Sequence, residues 1–76
     1  MVRTPVQSSF VDSIGYDSFS KVLEVKLRVG GIYQYANVSS TTHKYLMSLK
    51  SKGRGLNRWI KGKHRERRVN AAGIPV

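Results

Sequence analysis

The chain has no cysteine, only two prolines, only four acidic residues and no long apolar run. The missing cysteine excludes a disulfide framework and any thiolate metal site. No stretch approaches the roughly 20 apolar residues of a membrane span, and the N-terminus carries no apolar run of signal-peptide length. Together these absences lead us to expect a soluble, cytoplasmic protein that makes no use of a membrane. The shortage of acids bears on chemistry, since an enzyme needs a base, a nucleophile or a metal in mutual reach. Asp12 and Asp17 are the only acids close in sequence, and neither neighbours a histidine. Asp17, after Gly15-Tyr16, is more simply a turn residue accepting backbone hydrogen bonds. His43 and His64 lack the close-spaced pairing of zinc ligands. The serines show no nucleophile-elbow spacing. No catalysis, no metal and no cofactor are expected.

What the chain does have is positive charge, unevenly placed. Fourteen Lys and Arg against four acids give a formal +10 over 76 residues. Residues 1–38 carry four cations against Asp12, Asp17 and Glu24, so 4 − 3 = +1; residues 39–76 carry ten against Glu66 alone, so 10 − 1 = +9. A near-neutral half joined to a strongly basic half reads as a scaffold presenting a cationic surface to a polyanion. The length fits one domain with a thin core.

Hydrophobic periodicity divides the chain at about the same place. Ser8–Asp17 alternates imperfectly and reads as a strand. Val22–Val29 alternates cleanly, with Leu23, Val25, Leu27 and Val29 apolar and Glu24, Lys26 and Arg28 charged, which predicts a half-buried strand with one wet face. Gly30-Gly31 supplies a hairpin, and Ile32–Val38 is the return strand. After the caps offered by Ser39, Ser40 and Thr41, the residues Thr42, Tyr45, Leu46 and Leu49 follow helical spacing. Leu56, Trp59 and Ile60 repeat it in a short second helix, which makes Trp59 a core anchor with its indole N–H at the rim. The predicted fold is α+β: a three-stranded antiparallel β-meander followed by one or two helices packed on one face. Residues 1–62 form the domain, and residues 63–76 are a basic, flexible tail.

The facing of Tyr33 and Tyr35 depends on hairpin register. A two-residue turn pairs Val29 with Ile32 and sets both rings on the wet face beside Arg28 and Lys26, a platform for stacking bases. A three-residue loop with Gly30 in the left-handed region shifts the pairing by one and turns both rings inward. Gln34 favours the second register, because burying its unpaired amide in the first costs about 1–3 kcal/mol. Both registers remain open from sequence.

Ser8-Ser9, Ser13-Ile14-Gly15-Tyr16-Asp17, Leu23-Glu24-Val25, Tyr33-Gln34-Tyr35 and Ser51-Lys52-Gly53 with Asn57 resemble, in that order, the KTSC family, a domain found at the C-terminus of some lysyl-tRNA synthetases and as small free-standing bacterial and phage-type proteins. The resemblance covers roughly residues 3–62, with Tyr-x-Tyr as its marker. It departs at Ser39, where proline is expected, and at Leu56, where an aromatic is expected. It implies a small α+β domain and, by analogy with the synthetase, RNA binding.

The expected function is a small non-enzymatic nucleic-acid-binding domain, RNA ahead of DNA. Lys52, Arg54, Arg58, Lys61, Lys63 and Arg65 would hold phosphates, with Gly53 and Gly55 opening the backbone between them. Tyr33 and Tyr35 would stack bases if exposed. The alternative is a phage-type or bacterial effector module docking an acidic protein surface.

Overall fold

A computed structural model describes all 76 residues. Five strands form one antiparallel sheet in chain order: β1 (Arg3–Pro5), β2 (Val11–Asp17), β3 (Val22–Leu27), β4 (Ile32–Tyr35) and β5 (Glu66–Val69). Between β4 and β5 lie α1 (Ser40–Ser48) and α2 (Lys52–Gly55), and α2 runs on into a π-helical segment, Leu56–Ile60. The class is α+β as predicted, but the sheet has two strands more than the sequence pattern revealed.

The longer hairpin loop is the one formed. Gly30 N–H donates to the Leu27 carbonyl and Leu27 N–H to the Gly31 carbonyl, both at 3.1 Å. Gly30 and Gly31 take φ of 102° and 91°, values that side chains rarely tolerate. Leu23 then pairs with Tyr35 and Val25 with Tyr33, so both rings turn toward the helices. Tyr35 is 1% exposed and belongs to the core, and Tyr33 packs half-buried against it. An exposed Tyr33–Tyr35 stacking platform is thereby excluded.

One face of β2, β3 and β4 supplies Ile14, Leu23, Val25, Leu27 and Tyr35, and the helical layer covers them with Leu46, Leu56 and Ile60. Ser39 caps α1, its hydroxyl accepting from Thr42 N–H at 3.1 Å. Gly55 sits where the helical layer is tightest. A Cβ there would lie 2.5 Å from Leu49 Cδ1 and 2.9 Å from Leu46 Cδ1. Gly55→Ala should therefore lose about 1 kcal/mol by thermal denaturation, the overpacking outweighing the gain in helix propensity. An equal or higher melting temperature would show that the two leucines yield freely.

Residues 63–76, expected as a loose tail, instead include β5. Ile32 pairs with Val69 and Tyr35 with Glu66, and beyond β5 the chain turns back so that Pro75 bridges Val69. The Tyr35 hydroxyl donates to Glu66 Oε1 at 2.6 Å. Burial, reinforced by this carboxylate, pushes the Tyr35 phenol well above its ordinary value.

The opposite sheet face is polar but not wet. Arg3, Gly15, Glu24, Gln34 and Arg67 occupy one row across all five strands. Gly15 carries no side chain, so Arg3 passes over it: its Nη1 donates to Glu24 Oε2 at 2.6 Å. Gln34 Nε2 donates to Glu24 Oε1 at 2.9 Å, and Arg67 Nε and Nη2 both donate to Gln34 Oε1, at 3.1 and 2.8 Å. Glu24, predicted on the wet face, is 3% exposed and fully partnered.

Candidate nucleic-acid interface

The helical layer brings together residues that are far apart in sequence. Ser8 shapes the entry to β2, its hydroxyl accepting from Phe10 and Val11 N–H at 3.1 Å each. Ser51 opens α2 by accepting from Arg54 N–H at 3.3 Å. These two turns face each other across a depression of about 300 Å³ lined by Ser8, Ser9, Phe10, Ser51, Gly53, Arg54 and Asn57. A second depression, of about 360 Å³, adjoins it and is lined among others by Tyr45, Arg54, Arg58 and Trp59. Ser51 and Arg54 border both.

Each depression has an aromatic wall with a cation over it. The Lys61 ammonium lies 5.8 Å from the Phe10 ring centroid, and the Arg58 guanidinium 5.6 Å from that of Trp59. Tyr45 meets Trp59 edge-on at 5.5 Å. Phe10, Tyr45 and Trp59 are 36%, 48% and 40% exposed. Trp59, predicted in the core, stands at the rim instead. The wider π-helical turn explains it: Lys61 N–H bonds to the Leu56 carbonyl five residues back. That turn keeps Leu56 and Ile60 facing the sheet and rotates Trp59 outward.

The predicted phosphate ligands are divided by the fold. Arg54 and Arg58 line the groove, and Lys61 stands at its Phe10 wall. Lys52 is turned inward, its ammonium donating to the Leu49 carbonyl at the end of α1. Lys63 is exposed in the turn before β5. Arg65 lies beside Arg67 on the other sheet face, away from the groove. Phe10 and Tyr45 were not singled out from sequence as binding residues. The readable signal for Phe10 was a large apolar residue beside Ser8-Ser9, ahead of the clean strand pattern.

Electrostatically the basic half of the chain is uncompensated. The single ion pair of the molecule is Arg3–Glu24, so none of the ten cations of residues 39–76 is neutralised. Asp17 is used as predicted, its Oδ1 accepting from Phe19 N–H at 2.9 Å, and that bond holds its carboxyl below the usual range. His43 stacks on Tyr16 at 4.4 Å, and burial lowers its pKa. His64 lies apart, its Nδ1 3.0 Å from the Ala36 carbonyl oxygen. No helix is long and apolar enough to cross a membrane.

Comparison with known proteins agrees on family. The family model described as KTSC domain matches residues 7–64. An uncharacterized protein of Stutzerimonas stutzeri is 36% identical over 64 residues, which are 84% of this chain and 90% of that one. The crystal structure of a KTSC domain protein from Yersinia pestis superposes with a TM-score of 0.88 at 43% identity, covering 91% of this chain and 97% of that one.

Proposed function

The chain belongs to the KTSC domain family, and from that premise we propose that it is a non-enzymatic binder of single-stranded nucleic acid, reading the strand along the groove centred on Arg54. One observation carries the proposal: Arg54 borders two adjoining depressions, each walled by an exposed aromatic ring beneath a cation. Such a surface suits a strand whose phosphates meet Arg54, Arg58 and Lys61 while two bases stack at Phe10 and Trp59. Base–aromatic stacking contributes about 1–3 kcal/mol per base and tolerates any sequence, because every base has a π-face. A duplex keeps its bases paired and stacked, so single strands are preferred. RNA stands ahead of DNA on the family resemblance alone.

The test is a titration of labelled RNA and DNA oligonucleotides, single-stranded and duplex, at two salt concentrations. Single strands should bind more tightly than duplex, quench Trp59 fluorescence, and lose affinity with log salt at about −0.7 per phosphate engaged. Absence of binding at low salt would refute the reading and leave an acidic protein surface as the partner to seek.

A further inference from the structure

We propose a second binding site, for a short aliphatic carboxylate, on the sheet face turned away from the helices, between Arg65 and Arg67. A depression of about 200 Å³ is lined there by Val22, Gln34, Ala36, Arg65 and Arg67. It is independent of the Arg54 groove and shares no residue with it.

Three observations meet at this place. The first is the fixed position of Arg67. Its Nε and Nη2 both donate to Gln34 Oε1, and Gln34 is itself held by Glu24, which is held by Arg3. A guanidinium fastened along one edge leaves its Nη1 free to donate, with little rotational freedom left to lose on binding. The second is uncompensated charge. Arg65 immediately precedes β5, its carbonyl accepting from Ala36 N–H at 3.0 Å, and stands two residues before Arg67, so both guanidinium groups line the same depression and repel. The nearby acids are occupied: Glu24 by Arg3 and Gln34, Asp17 by Phe19 and Ser20 N–H, and Glu66 by the Tyr35 hydroxyl on the other face. His64 turns its Nδ1 to the Ala36 carbonyl and adds no negative charge. The third is the floor. Val22 and Ala36 are short and apolar, and they leave room for a few heavy atoms rather than the 300 Å³ and above typical of larger ligand pockets, a volume class taken as about that size. An oxyanion accepting from Arg67 Nη1 and from Arg65 would relieve the repulsion. Its short apolar body would cover Val22 and Ala36.

The experiment is an amide and arginine-side-chain NMR titration of the full chain with sodium butyrate, inorganic phosphate and sodium chloride at matched ionic strength. Butyrate should give saturable shifts focused on Val22, Ala36 and the Arg67 Nε–H. Arg65→Ala and Arg67→Ala should each weaken that binding about tenfold, the loss of one charge-assisted hydrogen bond. Arg65 makes no side-chain hydrogen bond within the protein, so its variant leaves the fold intact, whereas Arg67→Ala leaves Gln34 still paired with Glu24. Phosphate, which cannot cover the apolar floor, should bind more weakly at the same residues. Phosphate binding as tightly as butyrate would overturn the carboxylate assignment. Shifts that fail to saturate, or that spread evenly over Arg54, Arg58 and Lys61, would overturn the site. Arg65→Ala should leave oligonucleotide affinity unchanged, which separates failure of this site from failure of the groove.

Discussion

Replacing Arg54 and Arg58 together by glutamate should weaken binding of a single-stranded oligonucleotide by about a hundredfold near 0.1 M salt. Two phosphate contacts disappear, and the slope of log affinity against log salt should fall by about 1.4, or two contacts at 0.7 each. The acids also set two negative charges against the strand at the centre of the groove, where Arg54 borders both depressions. Fold integrity is not at stake, because neither guanidinium makes an intramolecular hydrogen bond and Arg58 only lies over Trp59. Net charge falls from +10 to +6, so a control of matched charge is needed. Arg65→Glu with Lys26→Glu makes the same change away from the groove, Lys26 lying in the strand face of Glu24. If both double variants lose affinity equally, the molecule attracts polyanions through net charge alone. If the Arg54 and Arg58 variant binds like the parent, the groove is not the site.

Stacking should separate from charge in the same system. On the proposed reading the rings of Phe10 and Trp59 would contribute through their faces, so their effect should persist when salt has screened the phosphate contacts. That distinction matters because Tyr33 and Tyr35, offered by the sequence for stacking only in the shorter hairpin register, are turned toward the core. The exposed rings that line the groove are instead Phe10, Tyr45 and Trp59.

The reasons are specific to residues. Gln34 argued for inward tyrosines because an unpaired buried amide is costly, and that register formed; yet Gln34 is itself buried, because Glu24 and Arg67 satisfy it. Alternation can assign a residue to a face but cannot say whether that face is wet. β5 was unreadable because Glu66-Arg67-Arg68-Val69 has one apolar residue, and its strand state comes from pairing with β4 and from Gln34 and Tyr35 as side-chain partners. β1 is three residues ending in proline, too short to show a period. Trp59 followed α-helical spacing with Leu56 and Ile60, and the π-helical turn that moves it outward leaves no mark in a hydrophobic pattern. By contrast, the three central strands, the caps at Ser39 and the turn at Asp17 were legible, since local chemistry decides them.

The polar row makes the largest expected change in stability. Arg3→Ala should cost about 2 kcal/mol, near the middle of the range for a hydrogen bond to a charged group and below that for a fully buried pair. The discount follows from exposure, since the Arg3 side chain is 25% exposed while that of Glu24 is 4%. Without Arg3 the Glu24 carboxylate stays buried with Gln34 as its one neutral donor, and β1 loses its side-chain tie to β3. Urea denaturation should show a midpoint lower by about 2 M at an m-value of about 1 kcal/mol/M. Adding Glu24→Gln to Arg3→Ala should restore about half the loss, because a neutral amide removes the buried charge and still accepts from Gln34 Nε2. Gly15→Ala should reproduce the loss of β1 by a different route. Its Cβ would lie 2.8 Å from the Val2 carbonyl oxygen, a backbone atom that cannot swing aside, and 3.1 Å from Arg3 Cγ on the path to Glu24. A midpoint for Arg3→Ala within error of the parent, or a further fall on adding Glu24→Gln, would show that the carboxylate reaches water in the variant and that the row does not hold β1 to the sheet.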